Sequence, residues 1–387
     1  MKKRVAVLGA TGSIGRQTLD VLRNLKDQFE PVLFAANRKS GELLELKNEF
    51  PGALIALALG EAADCKSGSG RIDFFGKQGL LNAIAAARPD ITVNGITGAA
   101  GLEPSIAAIE AGSDLALANK ESVVMAGHLI FALARKKNVR IIPVDSEHTA
   151  ILKLLEAHGR ENASEIILTA SGGPFRNYSM EKLGAVTPEE ALAHPTWNMG
   201  PKITVDSATL ANKGLEVIEA AGYFAFPPEK IKVTIHPQSV VHSMIRLKDG
   251  AVYAQMSKPD MRHVIHEALT WPRTEFSPFG VLDFDSLHLS FEKPDFERFP
   301  MLALAYEALG GGPLLPTVYN AANETAVQAF FDGKIGFLEI PRIVGYVIKQ
   351  RAVCNASADN AAASIEAVLE ADRKARELAA RGCNGSF

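Results

Sequence analysis

One short stretch constrains this chain more than any other. Gly9-Ala-Thr-Gly12-Ser-Ile-Gly15 directly follows an apolar run at 5–8 and opens a segment with helical periodicity. Strand, glycine turn and helix in that order make the phosphate-binding element of doubly wound α/β folds. Gly9 lets the chain reverse sharply, Gly12 removes a side chain where backbone must approach phosphate, and Gly15 permits close helix–strand packing. The helix start then offers N–H groups and a positive dipole end to a pyrophosphate. The spacing is GxxGxxG rather than GxGxxG, and the plain alternative is a glycine turn that only reverses the chain.

The surrounding pattern supports the nucleotide reading. Apolar runs at 5–8, 32–36, 90–94, 115–118 and 140–144 alternate with Ala- and Leu-rich helical stretches such as 43–50 and 80–88. Continuous apolar strands alternating with helices imply a parallel sheet covered on both faces. The N-terminal domain, 1–145, is therefore expected to be doubly wound and Rossmann-like. Beyond it the texture changes. A helix is expected at 148–158, a strand at 165–170, a Gly/Pro-rich loop at 171–202 and a helix at 206–224. Runs at 240–247 and 251–257 flank Asp249-Gly250, a hairpin signal. The central domain, 146–270, reads as α+β. Pro- and Phe-rich residues 271–300 read as a linker. A small helical domain, 301–387, follows, with helices at 301–309, 318–331, 340–350 and 360–381.

Composition excludes several classes. With 387 residues, 47% hydrophobic and 22% charged, the chain is globular rather than disordered. A net charge of −3 lacks the cationic excess of a general nucleic-acid binder. No apolar run approaches the roughly 20 residues of a membrane-spanning helix. Met1-Lys-Lys-Arg4 precedes an apolar run too short for a secretion signal and better suited to a buried first strand. Cys65, Cys354 and Cys383 match no metal or disulfide framework, which fits a cytoplasmic protein.

The end of the second strand bears on the cofactor. An NAD enzyme places Asp or Glu there for the ribose 2′-OH. Here the chain reads Ala35-Ala36-Asn37-Arg38-Lys39-Ser40, with no carboxylate before Glu42. Two cations and a hydroxyl suit a 2′-phosphate, so NADPH is expected over NADH. The alternative is an ordinary solvated loop.

Two further clusters carry chemistry. Asp145-Ser146-Glu147 ends an apolar strand, where the two carboxylates can converge on one hard cation such as Mg²⁺ or Mn²⁺. A helix N-cap with an acidic first turn explains the same residues equally well. In 206–219, Asn212 and Glu216 are i, i+4 neighbours, and Ser207 and Lys213 offer an anion site. Glu216 can complete a three-carboxylate metal site, with Glu219 one turn on as a competitor; spacing alone favours an ordinary Lys213–Glu216 surface pair. Ser171-Gly-Gly-Pro-Phe is an anion-friendly turn. Trp197, in His194-Pro-Thr-Trp197, reads as either an aromatic lid or a packing residue, and His236 and His242 as supporting groups. A rival pattern is Tyr178-Ser-Met-Glu-Lys182, the Tyr-x-x-x-Lys pair of short-chain dehydrogenases, with Ser164 upstream.

Taken together, Gly9 to Gly15, Asn119-Lys-Glu-Ser122, Pro143-Val-Asp-Ser-Glu-His148, Ser171-Gly-Gly-Pro-Phe-Arg176, His194-Pro-Thr-Trp-Asn-Met-Gly200, Asp206-Ser-Ala-Thr-Leu-Ala-Asn-Lys-Gly-Leu-Glu216, His236-Pro-Gln-Ser-Val-Val-His-Ser-Met244 and Asn320-Ala-Ala-Asn-Glu324 closely resemble the 1-deoxy-D-xylulose 5-phosphate reductoisomerase family. The resemblance runs in register from residue 1 to about 330. It implies a homodimer that rearranges the substrate's carbon skeleton and reduces the resulting aldehyde with NADPH, giving 2-C-methyl-D-erythritol 4-phosphate for isoprenoid precursors. By resemblance, Asp145, Glu147 and Glu216 hold a divalent metal (Mg, Mn or Co). Gly9, Thr11, Gly12, Ser13, Ile14, Ala36, Asn37, Arg38, Asn119, Glu121 and Gly200 line the cofactor site; the family often has Gly near Ala36, where its loop varies. Lys120, Ser146 and Glu147 hold the hydroxyl end of the substrate, while Ser171, His194, Ser207, Asn212 and Lys213 hold its chain and phosphate. Residues 171–202 form a closing flap with Trp197 as lid. Two other readings remain: a metal-free short-chain-type reductase using Tyr178 and Lys182, and a non-catalytic NADP-sensing regulator.

Overall fold

The computed structural model describes residues 1–59, 72–193, 197, 199–350 and 364–385. In chain order the elements are β1 (Lys3–Leu8), α1 (Ser13–Asn24), β2 (Phe29–Ala36), α2 (Ser40–Glu49), β3 (Leu54–Leu57), β4 (Phe74–Phe75), α3 (Gly76–Ala87), β5 (Ile91–Asn94), α4 (Leu102–Glu110), β6 (Asp114–Leu117), α5 (Lys120–Lys137), β7 (Ile141–Pro143) and α6 (Ser146–His158). Then follow β8 (Ala163–Ala170), α7 (Met180–Gly184), α8 (Pro188–Ala191), α9 (Pro201–Ala208), α10 (Ala211–Phe224), β9 (Ile231–Ile235), β10 (Val241–Leu247), β11 (Val252–Met256), α11 (Met261–Thr270), α12 (Met301–Gly310), α13 (Leu315–Phe331), α14 (Glu339–Ile348) and α15 (Ile365–Cys383).

The chain divides into two compact units. The first comprises Met1–Ser122, Ile130–Thr149 and Asp260–Gly280. Its seven strands run in the order β4-β3-β2-β1-β5-β6-β7, parallel throughout. The chain winds outward from β1 through β2 to β4, then returns beside β1 as β5. That reversal creates a switch point at the carboxyl ends of β1 and β5, the place where such sheets bind ligands. Gly9 marks it: at φ +78°, a Cβ there would lie 2.8 Å from the Gly95 carbonyl oxygen. Any side chain would therefore force the two loops apart.

All five strands expected in the N-terminal domain are present. Two more, β3 and β4, are short additions at one edge. The expected boundary at 145–146 is only approximate. Helix α11, read as central domain, belongs to the first unit, where Val264, Ile265, Ala268 and Leu269 join the core of Val5, Val7 and Leu19. The start of the expected linker is tied there too: the Arg140 guanidinium lies 5.0 Å from the Trp271 ring centre, and Gln28 donates to Glu275 at 2.6 Å.

The second unit holds Val123–Leu129, Ala150–Pro259 and Val281–Phe387. Its sheet runs β11-β10-β8-β9, with β10 antiparallel to β11 and β8, and β8 parallel to β9. The Asp249-Gly250 turn forms the expected hairpin, with Gly250 at φ +91°. The helices after residue 301 are not a separate compact body. They share one core with the mixed sheet, in which Ile166, Ile245, Leu215, Tyr319 and Val344 are buried together. Gly214 on α10 explains the closeness, since a Cβ there would meet Ala305 at 2.7 Å and the Tyr319 hydroxyl at 2.8 Å.

The helix expected at 206–224 is two helices. Leu210 sits at φ +61° between α9 and α10. The Thr209 hydroxyl donates to the Val205 carbonyl and accepts from Ala211 N–H, a local bonding pattern that competes with helix continuation. Residues 171–202, expected as an extended loop, contain two short helices, α7 and α8. Each is capped: Ser179 accepts from Lys182 N–H, and Thr187 with Glu190 forms a capping box.

Candidate active site

In the first unit, α1 begins at the switch point. Its N-cap, Gly12, supplies no side-chain bond, and the first turn carries no acidic residue. Gly15 fits only because it lacks Cβ, which would collide with Gly9 and Ala10 backbone. Ser13 is exposed and Thr11 and Ile14 are half-buried around this start. That is the cradle a pyrophosphate needs. At the end of β2, Ala36 is buried while Asn37, Arg38 and Lys39 are exposed. The two cations differ in what surrounds them. Lys39 Nζ pairs with Glu42 at 2.8 Å, and Glu42 also takes Arg16 at 2.8 Å. Those two ion pairs hold the Glu42 carboxyl below its ordinary value, with the Lys39 bond the leading favourable cause and burial opposing it. A cavity of about 350 Å³ between α1 and α2 is lined by Ala10, Thr11, Arg16 and Glu42 among others.

Asn119 braces the backbone around it. Its side chain caps α5 by accepting from Ser122 N–H at 3.0 Å. Its amide donates to the Ile96 and Gly98 carbonyls and to Glu121 at 2.7–2.9 Å. Asn119 and Glu121 thereby fix the loop after β5.

Asp145 fills the capping role. It caps α6, with Oδ1 accepting from Glu147 N–H at 3.2 Å and His148 N–H at 3.3 Å. The other oxygen pairs with Lys120 Nζ, and the fully buried His148 places Nδ1 2.9 Å from Oδ1. His148 was not singled out as a site residue, although its i, i+3 spacing from Asp145 signals the contact. Asp145 and Glu147 offer carboxylate oxygens within 4.8 Å of each other, and Ser146 donates to Glu147. Two hard oxygens at this separation fit Mg²⁺ or Mn²⁺ better than a soft metal.

In the second unit, Lys213 and Glu216 are not a surface pair. Their side chains are 3% and 1% exposed and pair directly, and Asn212 donates to the same carboxylate at 2.7 Å. Glu219 is buried as well. Ser207 approaches from the end of α9. A Cβ on Gly173, at φ +70°, would stand 2.7 Å from the Ser207 carbonyl oxygen, so the Ser171-Gly-Gly turn packs against that backbone. Ser171 Oγ accepts from Gly173 N–H at 3.2 Å. Ser171, Ser207, Asn212, Lys213 and Glu216 all belong to this second unit. Gly200 is the N-cap of α9. Trp197 is half-buried with its ring 6.4 Å from His242. His194 lies outside the described residues.

The rival residues do other work. Tyr178 packs on Phe175 and the second unit's core, with Lys182 Nζ 5.8 Å above its ring centre. That is a cation–π contact rather than an acid pair. His236 is structural: it bonds the Ser290 carbonyl at 2.9 Å and accepts from Val241 N–H.

A doubly wound sheet with an uncapped helix start at its switch point, joined in one chain to a buried Lys–Glu pair, defines a dinucleotide-dependent oxidoreductase. Family models described as 1-deoxy-D-xylulose 5-phosphate reductoisomerase match residues 5–127, 141–224 and 256–378, the last two as its C-terminal domains. The chain belongs to the 1-deoxy-D-xylulose 5-phosphate reductoisomerase family. A relative of that name from Treponema denticola is 46% identical over 98% of this chain and 96% of its own. Another, from Pelodictyon phaeoclathratiforme, is 47% identical over 97% of this chain and 98% of its own. Among solved structures, the Zymomonas mobilis enzyme in complex with NADPH is 42% identical, with a TM-score of 0.88 and 98% of each chain covered. A reductoisomerase in complex with NADPH, fosmidomycin and magnesium is 36% identical, with a TM-score of 0.93, covering 99% of this chain and 98% of that one.

Proposed function

We propose that this enzyme isomerises and reduces 1-deoxy-D-xylulose 5-phosphate to 2-C-methyl-D-erythritol 4-phosphate, with NADPH as reductant and a divalent cation required. The observation that carries this reading is the buried Lys213–Glu216 pair on α10, joined by the half-buried Asn212, within a chain matched to the family almost end to end.

Asp145, Glu147 and Glu216 are assigned to the cation, which supplies Lewis acidity to adjacent sugar oxygens when bound. Glu216 is chosen over Glu219 because Asn212 and Lys213 converge on its carboxylate. Lys120 holds Asp145 in place and, with Ser146 and Glu147, takes the hydroxyl end of the substrate. Ser171, His194, Ser207, Asn212 and Lys213 receive the chain and phosphate, and small-residue turns suit that anion. Binding energy from a phosphate remote from the reacting carbons is available for closing the flap, 171–202, with Trp197 as lid. Gly9, Thr11, Gly12, Ser13 and Ile14 cradle the NADPH pyrophosphate. Ala36, Asn37 and Arg38 face its 2′-phosphate, and Asn119, Glu121 and Gly200 complete that site. NADPH supplies the hydride.

A homodimer in the cytoplasm completes the reading. β11 is a sheet edge with Val252 and Tyr253 exposed, and Phe284, Leu289, Phe291 and Phe296 are exposed later in the same unit. Exposed edges and apolar groups of this kind favour a covering partner. Among the described residues no helix is long and apolar enough to cross a membrane.

The test follows NADPH absorbance with 1-deoxy-D-xylulose 5-phosphate, with Mg²⁺ or Mn²⁺ and then with EDTA. Cation-dependent oxidation is expected. Oxidation that survives EDTA would favour the Tyr178–Lys182 route, and NADPH binding without turnover would leave a sensor. Light scattering after gel filtration tests the dimer.

A further inference from the structure

The stretch Asn320-Ala-Ala-Asn-Glu324 has no part in the roles assigned above. It lies on α13, with Asn320 and Asn323 fully buried. Asn323 Nδ2 donates a 2.8 Å hydrogen bond to Asp206 Oδ1. The second oxygen of Asp206, itself 1% exposed, pairs with Lys202 Nζ at 2.9 Å. An ionised carboxylate only accepts, so the Asn323 amide must turn its NH₂ towards it. Its Oδ1 is then left with no hydrogen-bond partner among the described residues. A buried carbonyl oxygen in that state is unfavourable. An apolar residue would fill the site better unless the bond to Asp206 is what the position requires.

The helix that offers this bond is itself anchored. Glu324 accepts from Asn320 at 3.0 Å and from Arg376 of α15 at 2.7 Å, and Arg376 also pairs with Asp372. By contrast α9, which carries Asp206, is only eight residues long. A helix so short does not hold its own orientation. Asp206 ties it to α13 through Asn323, while Lys202, one turn back on the same helix, neutralises the buried carboxylate and holds it in place. The next residue is Ser207, and the turn after it leads directly to Asn212 and Lys213.

We propose that Asn323, acting through Asp206 and with Lys202, is a positioning residue that fixes α9 so that Ser207 and the α9–α10 turn meet the substrate's phosphate group. This rests on the assignment of Ser207, Asn212 and Lys213 to that phosphate.

The experiment measures kcat and both KM values on the full chain with Mg²⁺, for Asn323→Ser, Lys202→Met and Ser207→Ala. Lys202 is partly exposed, so its variant tests the clamp if Asn323→Ser fails to fold. A KM for 1-deoxy-D-xylulose 5-phosphate raised about 10-fold is expected for the clamp variants, the scale of a lost supporting contact. For Asn323→Ser the KM for NADPH should stay near wild type, a split between the two KM values that general loosening would not give. An unchanged sugar-phosphate KM in the folded variants, or a parallel rise in both KM values, overturns the positioning role. If Ser207→Ala raises that KM and the clamp variants do not, only the clamp fails. If Ser207→Ala leaves it unchanged, the phosphate assignment beneath it fails.

Discussion

Lys213 and Glu216 stand one turn apart on α10 and form an ion pair with almost no solvent contact, their side chains 3% and 1% exposed. A solvated pair at this spacing contributes little. A buried one is different, because each charge depends on the other.

Glu216→Gln tests the catalytic side of this pair. Turnover should fall on the order of 100-fold or more, the scale for losing metal-site groups, while NADPH affinity measured by fluorescence titration stays nearly intact. An equal loss of cofactor affinity would count against the metal role.

Lys213→Met tests the structural side. Removing the cation leaves a buried carboxylate without its charge partner, a cost of about 3 kcal/mol. Thermal unfolding of the metal-free protein should show a midpoint several degrees lower. An unshifted midpoint would mean that the Asn212 bond alone supports Glu216.

The cations after β2 should separate in their effects. Arg38→Ala should narrow the NADPH-over-NADH preference in kcat/KM about 10-fold, since a bond to a charged group contributes roughly 1.5–3 kcal/mol. Lys39→Ala should change it less, because Lys39 is engaged with Glu42. An unchanged ratio in Arg38→Ala refutes the 2′-phosphate reading.

Gly173 couples a turn to the Ser207 backbone. Gly173→Ala adds a Cβ in a left-handed conformation, costing roughly 1–2 kcal/mol, and presses on the Ser207 carbonyl. The expected result is a higher sugar-phosphate KM with the NADPH KM unaltered. Wild-type kinetics would show that Ser207 tolerates displacement.

Stability should also depend on pH through Asp260, the N-cap of α11. Burial pushes its carboxyl up, but the Arg262 side chain, backbone N–H and charge together hold it below its ordinary value. The folded state therefore binds protons less readily than the unfolded chain. This contribution is complete above the unfolded carboxyl's range and is lost as pH falls through the depressed value. Melting curves should place Asp260→Asn below wild type at pH 7, with the gap closing in acid. A gap constant with pH would remove the linkage.

The parallel sheet was legible because its five main strands are rich in apolar residues, and Gly9 had a local reason that the Gly95 contact supports. β3 and β4 escaped notice because strands of four and two residues leave little pattern. Helix α11 was missed where Pro- and Phe-rich sequence beside it suggested a linker. Within the site, i, i+4 spacing revealed that Asn212 and Glu216 share a face. No local rule could reveal that Lys213 is buried, since burial depends on packing against other elements of the fold. The bond of Asn323 to Asp206, 117 residues apart, lies equally beyond spacing arguments.

The absent side chain at Gly214 has a consequence for anyone shortening this protein. It lets α10 lie directly on Ala305 and Tyr319, so the inner surface of the helix that bears Glu216 is built from residues beyond 300. A chain stopped there would expose that apolar seam to water and invite self-association. The C-terminal helices are thus part of the smallest unit that can be expressed as working enzyme.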